Sequence, residues 1–331
     1  MSIIYPFRAY RPAAGLEELV SSVPYDVVTR EEAAKIVREN PLSFLRVLRP
    51  EVDLPEGADE HSEEAYRTSR KALAQLVRDG RLVLETEPRL FLYRLEEEGH
   101  AQTGIVACCD VEEYLSGVIK RHELTRPDKE HDRVRHVETL GCHTGPVLLT
   151  FAGTDRIRRE MQGAASETPL WDFTAADGVR HTAYHVPRSA AVVEALAEVR
   201  SLYIADGHHR AAAAARVAES VDSPEASRFL CVLFPHDELR ILAYNRYVGL
   251  EPAEVSKAVV EIERRFSPVE DIDGVPSRRG EVCFTHDGRW RKIALPKAQD
   301  ALPRATADTD SSSAGRRDGG RESGSVGLSR S

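Results

Sequence analysis

The sequence predicts a mixed α/β protein, and three features carry that expectation. Short apolar runs rich in β-branched and aromatic residues alternate with longer stretches whose apolar positions recur at helical spacing. Residues 201–216 pass from a buried-strand pattern through Asp206 and Gly207 into an alanine-rich segment that reads as helix. Between residues 81 and 109 strand-like runs follow one another with connections too short for a crossover, so they are expected to pair antiparallel.

Taken in order, residues 3–8 read as a first strand, closed by Pro12 and Gly15, and residues 23–28 as a short extended piece. Thr29 can cap a helix over 30–39, with Glu31 and Glu32 favourable in its first turn. Asn40 and Pro41 stop that helix, and 43–48 is strand-like. A polar loop precedes a helix over 59–78, in which Ala65, Ala72, Leu73, Leu76 and Val77 share one face; Asp79 and Gly80 end it. Strands follow at 81–84, 89–94 and 103–109, the last two joined by a charged hairpin loop at 96–100. Thr125, with Pro127 and Asp128, marks a helix start with a capping box, and Gly141 its end. That helix is polar almost all round, with Val134, Val137 and Leu140 as its apolar seam.

A strand at 146–151, a helix at 155–162, a strand at 181–186 and a helix at 189–199 lead to the central strand–turn–helix. Strands at 229–234 and 240–245 come next, then a helix over 252–266 and a hairpin of 281–285 with 289–294 around Asp287 and Gly288. From Lys297 onward there is no aromatic residue, and serine, glycine and arginine dominate 308–331, a composition that predicts a disordered tail.

Composition narrows the function. A formal charge of −9 argues against broad, nonspecific nucleic-acid binding. No apolar run approaches the ~18 residues of a membrane span, and the N-terminus lacks the pattern of a secretory signal. The five cysteines are odd in number and include no CxxC pair, which fits free thiols in a reducing cytoplasm. Oligomeric state is not written in the sequence.

The chemistry concentrates at Asp206–Arg210. A strand that turns through glycine into a helix brings backbone N–H groups and the positive helix end to one point. Gly207 lets the backbone approach a ligand closely, and Arg210 can grip phosphate oxygens with two parallel hydrogen bonds. His208 and His209 sit beside it at the helix start; as neighbours their side chains diverge, which disfavours a metal site built from the pair. Asp206 can hold Mg2+, orient a hydroxyl or cap the helix. Glu123, at an element boundary, is either an exposed charge or a positioned base. His131, Arg133, Arg135 and His136, beside Arg126, are either a solvated face or the lining of a charged ligand site.

Five segments, Tyr5–Pro12, Pro24–Val28, Asn40–Leu45, Lys120–Thr125 and Tyr203–Arg210, resemble the domain of unknown function 1015 family, from the first residues to about Ala294. Members of that family usually continue toward a Met-Pro-Pro-Lys-Ser-Thr motif that this sequence lacks, so a truncated or frameshifted end is expected after about Ala294. The turn is also similar, more distantly, to the Gly-x-x-Arg phosphate motif of the ParB/sulfiredoxin superfamily, which includes the free serine kinases. In those kinases a Pro-His-Glu segment precedes an Asp-Gly-His-x-Arg segment, and Arg121-His122-Glu123 before Asp206–Arg210 keeps that order, with Arg121 in place of the proline and a longer interval between the two. Sulfiredoxin chemistry needs a cysteine where His208 stands.

The resemblance implies a ParB/sulfiredoxin-like mixed-sheet core over 101–295, an N-terminal α/β extension over 1–100 and a tail over 296–331. It implies Glu123 as base, Asp206 as a catalytic and metal-holding residue, and Gly207, His208, His209 and Arg210 on the phosphates of ATP or ADP with Mg2+. His122, Arg126, Arg133 and Arg135 are further contacts for phosphate or substrate. The expected activity is nucleotide-dependent phosphoryl transfer to a small hydroxyl substrate, L-serine first. A nucleotide-sensing switch or ParB-like DNA-associated module, or a phosphatase-like hydrolase, are the alternatives.

Overall fold

In a computed structural model of the protein, residues 3–240, 247–271, 274–278 and 280–295 are described. The chain divides into two compact units, 1–241 and 242–331. In the first, the order is β1 (Ile4–Tyr5), β2 (Tyr10–Pro12), α1 (Glu17–Val20), α2 (Arg30–Glu39), α3 (Leu45–Leu48), α4 (Glu63–Arg78), β3 (Leu82–Leu84), β4 (Phe91–Glu97), β5 (His100–Asp110), α5 (Val111–Leu115), β6 (Ile119–Lys120) and α6 (Pro127–Leu140). It continues with β7 (Val147–Phe151), α7 (Asp155–Ala165), β8 (Trp171–Thr174), β9 (Arg180–His185), α8 (Ser189–Ala197), β10 (Leu202–Asp206), α9 (His208–Ser220) and β11 (Arg228–Pro235). The second unit holds α10 (Pro252–Phe266), β12 (Val269–Asp271), β13 (Glu281–Thr285) and β14 (Trp290–Ala294). The mixed α/β class is as the sequence predicts.

A mixed sheet organises the first unit, in the order β6-β10-β7-β11-β5-β4-β9-β8. β10 runs parallel to β6 and antiparallel to β7, and β7 runs parallel to β11. From β11 to β8 every pairing is antiparallel. β1 pairs with Cys108 and Cys109 of β5, where β4 has ended, so β5 is flanked along nearly its whole length. Side chains alternate as a pleated strand requires: in β7, Val147, Leu149 and Phe151 are buried, and in β10, Leu202 and Ile204 are buried while Tyr203 is half exposed. The β4–β5 loop is tighter than expected. Its two central residues, Glu98 and Gly99, both have positive φ, the geometry of a twist-matched hairpin turn.

One large core joins the sheet to α7, α8 and α9, and a smaller one is built from Val20, Val47, Leu73, Leu76 and Leu82. The smaller core corrects two expectations. Residues 45–48 form a helical turn rather than a strand, because the Val47 carbonyl is taken by the Ser69 hydroxyl and His136 Nε2 and is not free for a ladder. β3 pairs with β2 in a separate two-stranded sheet rather than with β4. Residues 23–28 are an irregular turn: Arg49, paired with the buried Glu51, donates to the carbonyls of Tyr25 and Val28. The capping box of α2 forms as expected between Thr29 and Glu32. α4 starts at Glu63, capped by Ser62, later than expected.

The second unit is a three-stranded antiparallel sheet, β12-β14-β13, with α10 at its expected limits and the hairpin of β13 and β14 as expected. The strand expected at 240–245, apart from Arg240, and the tail from Lys297 lie outside the described residues. Among the described residues no helix is long and apolar enough to cross a membrane.

Candidate functional site

β10 carries Asp206 to the end of the sheet, and a register shift after Ile204 sets Asp206 opposite Leu148. Gly207 then adopts φ +90°, and α9 begins with no side chain capping it. The first intrahelical bond is from Ala211 to the Gly207 carbonyl. The preceding N–H groups therefore end a 13-residue helix at its positive pole without an intrahelical partner. Arg210 folds back across the turn, Nη2 donating to Asp206 Oδ2 at 2.5 Å. A Cβ on Gly207 would stand 2.9 Å from Arg210 Nε, so both the backbone angle and the guanidinium require glycine here.

His208 and Arg210, two residues apart on a helix, leave α9 in different directions. His208 is buried and its ring meets that of His122 edge-on, with centroids 4.5 Å apart. The His122 N–H donates to His208 Nε2 at 3.5 Å, and His208 Nδ1 lies 3.5 Å from Glu123 Oε2. Burial, seconded by His122, lowers the pKa of His208 and keeps its ring neutral. With Nε2 accepting, the ring proton belongs on Nδ1, facing Glu123. Glu123 itself is largely exposed, beside the fully exposed Leu124.

Arg210 faces a cleft of ≈ 370 Å³ that also takes in Asp206 and Arg133. Its other walls are residues 22–26, Phe44 and Leu48 from the N-terminal segment, His136 and Val137 of α6, residues 143–146, and Leu148, Ala213 and Val232 from the sheet and α9. The Arg133 guanidinium lies 4.6 Å from the centre of the Tyr25 ring, and Asp132 holds it from behind, accepting from Nε at 2.9 Å. Asp132 also accepts from Tyr66 and meets His61, each at 2.8 Å. Burial pushes the pKa of His136 down to about 4, helped by the nearby Arg133. Burial likewise lowers that of His143, whose Nε2 donates to the Arg228 carbonyl at 3.1 Å.

The expected site residues therefore fall into three groups. Asp206, Arg210 and Arg133 line the cleft, with Gly207 in the turn between the first two, and His208, His122 and Glu123 form a second cluster outside that lining. Arg126 and Arg135 join neither: Arg126 pairs with the exposed Asp128, and Arg135 pairs with Glu63 beside the Tyr66 ring. His209 Nδ1 is buried without a hydrogen-bond partner. The start of α6 also differs from expectation. Arg126 occupies the cap position without a side-chain bond, and Thr125 donates instead to Glu130.

A family model described as "Protein of unknown function (DUF1015)" matches residues 4–312. The chain belongs to this family. No curated protein and no solved structure matches it. In this DUF1015 member, two segments far apart in sequence, Pro24-Tyr25-Asp26 and the Asp206–Arg210 turn, both contribute to the lining of one cleft. Tyr25, Asp26 and His143 were not expected as site residues, whereas His136, one of the residues read as either a solvated face or a site lining, does line the cleft. The Pro24–Val28 motif was a signal for the first two, while His143 looks like an ordinary polar position until the fold closes. For a metal, the donors are sparse: among the described residues no group of three or more His, Cys, Asp or Glu is placed to hold one.

Proposed function

We propose that this protein binds a nucleotide by its phosphates at the Asp206–Arg210 turn and transfers a phosphoryl group to a small hydroxyl compound, with L-serine the first substrate to test. The observation that carries the proposal is the uncapped, glycine-started helix end of α9 with the Arg210 guanidinium folded over it at the mouth of a cleft. Arg133, held by Asp132, adds a second cation on the same side. The order of the Glu123 and Asp206–Arg210 segments, as in ParB/sulfiredoxin-like serine kinases, supports the same assignment.

Glu123 is the base in this mechanism. The Nδ1–H of His208 faces Oε2 of its carboxylate, and Oε1 lies 4.0 Å from His122 Nε2. The substrate hydroxyl gives its proton to Glu123 while its oxygen bonds to the terminal phosphorus. The bond from that phosphorus to the bridging oxygen breaks, and the electron pair leaves on the shortened nucleotide. Arg210 and the helix end hold the phosphate charge as it redistributes. Asp206, paired with Arg210, is the carboxylate of the turn that would hold Mg2+ beside the phosphates. Bound there, Mg2+ would neutralise phosphate charge.

Purified protein incubated with Mg2+, ATP or ADP and L-serine should form O-phosphoserine, detected by mass spectrometry. Arg210→Ala should abolish nucleotide binding in calorimetry. Glu123→Gln should bind normally while turnover falls at least ~100-fold. Absence of both product and nucleotide binding in the wild type would end the proposal, and equal loss of binding in both variants would remove the assigned roles.

A further inference from the structure

We propose that the cleft beyond Arg210 is the seat of an aromatic heterocycle, the base of the bound nucleotide, gripped by Tyr25 and Arg133. The small hydroxyl substrate then belongs on the other side of the turn, against Glu123. This rests on the reading above, in which Arg210 holds the nucleotide's phosphates.

Size is the first argument. At ≈ 370 Å³ the cleft lies in the range of sites for drug-sized ligands, and it is far larger than a serine would fill. Its composition is the second. Charge is gathered at Arg210, Asp206, Arg133 and Asp26, while Pro24, Phe44, Leu48, Val137 and Leu148 supply apolar walls. A ligand matching both must carry an anionic end on an apolar body.

The aromatic preference comes from Tyr25 and Arg133. Their stacked geometry offers a ring face and a flat guanidinium, both of which stack on planar heterocycles. Arg49 holds the backbone at Tyr25 through its carbonyl, and Asp132 holds the Arg133 guanidinium. The Arg133 side chain therefore has little freedom left to lose on binding. His136 and His143 finish the lining. Each ring uses Nε2 to donate to a carbonyl, of Val47 and Arg228, and so keeps Nδ1 as an acceptor. Neutral acceptors suit a base that carries an amino group. They would do nothing for a second phosphate.

The division of labour follows from α9. Arg210 opens on the cleft, whereas His208 turns to Glu123, so the turn stands between the two clusters and the transferred phosphoryl group would lie at the turn itself.

Calorimetry with two probes separates this inference from the one it rests on. Pyrophosphate with Mg2+ reports the phosphate site alone, and ADP with Mg2+ reports both. Tyr25→Ala should weaken ADP about tenfold or more and change pyrophosphate by no more than about twofold, while Tyr25→Phe, which keeps the ring, binds ADP as the wild type does. Equal loss of both probes, or loss of neither, overturns the base site and leaves the phosphate site standing. A wild-type protein that takes up neither probe overturns both. Should Tyr25→Ala fail to fold, photolabelling of the wild type with 8-azido-ADP decides. Label on the peptides bearing Tyr25, His136 or His143 supports the assignment, and label confined to the Glu123 peptide overturns it.

Discussion

Helices α6 and α9 pack against each other and both reach the cleft, yet they bury opposite kinds of side chain. α9 turns Ala211 to Ala215 and Val217 inward, and small side chains let it lie close on β7 and β11. α6 turns Glu130, Asp132 and His136 inward. Each of these is satisfied: Glu130 by Thr125 and Arg216, Asp132 by His61, Tyr66 and Arg133, and His136 by the Val47 carbonyl and Ser69. An apolar face gains by burial almost wherever it lands. A charged one is tolerated only where all its partners meet it. The seating of α6 is accordingly specified by its polar face, and that seating aims Arg133 at Tyr25.

The contrast can be broken from either helix. Asp132→Ala leaves a buried guanidinium and a buried phenol without their acceptor and should cost about 3–5 kcal/mol in urea unfolding. A loss under ~1 kcal/mol would mean that the network does not hold α6. His136 gives the next largest effect. Its folded pKa, about 4, lies below the ordinary value of 6.5, so its contribution is complete above pH ~6.5 and is lost as pH falls toward 4, where the unfolded chain takes the proton more readily. That loss should amount to ~3 kcal/mol, and His136→Leu should flatten the difference in stability between pH 6.5 and 4; an unchanged slope would contradict it. On the other helix, Ala211→Leu overfills a fully buried position and should cost about 1–3 kcal/mol without any pH dependence.

The same contrast explains what could be seen in the sequence. The strand–turn–helix at 202–220, the cap of α2, the limits of α10 and the β13–β14 hairpin depend on local signals, namely glycine at a left-handed turn, a capping box and apolar spacing. The inward face of α6 did not show, because periodicity reports apolar residues and this helix buries polar ones; Val134, Val137 and Leu140 are only half buried. Residues 45–48 misled for a related reason. Three apolar residues around Arg46 fit a strand or a helical turn equally well, and the choice was made by side chains of α4 and α6. The turn of the candidate site was legible down to Asp206 and Arg210. The cleft was not, since its walls come from segments more than a hundred residues apart that only the finished sheet brings together.

The position of β5 sets the order in which that sheet can be completed. One edge is filled by β4, its neighbour through a two-residue turn, and by β1, about a hundred residues earlier in the chain; the other is filled along residues 105–110 by β11, about a hundred and twenty residues later, and at Thr103 by the Glu238 carboxylate. While the protein is being made, β5 therefore emerges with an open edge that stays open until residue 235 has left the ribosome. The hairpin of β4 and β5 can form in microseconds, but closure of the sheet is a long-range event of the kind that takes milliseconds to seconds. Synthesis rate and chaperone access during the making of residues 110–235 should thus govern how much of the chain escapes aggregation through that edge.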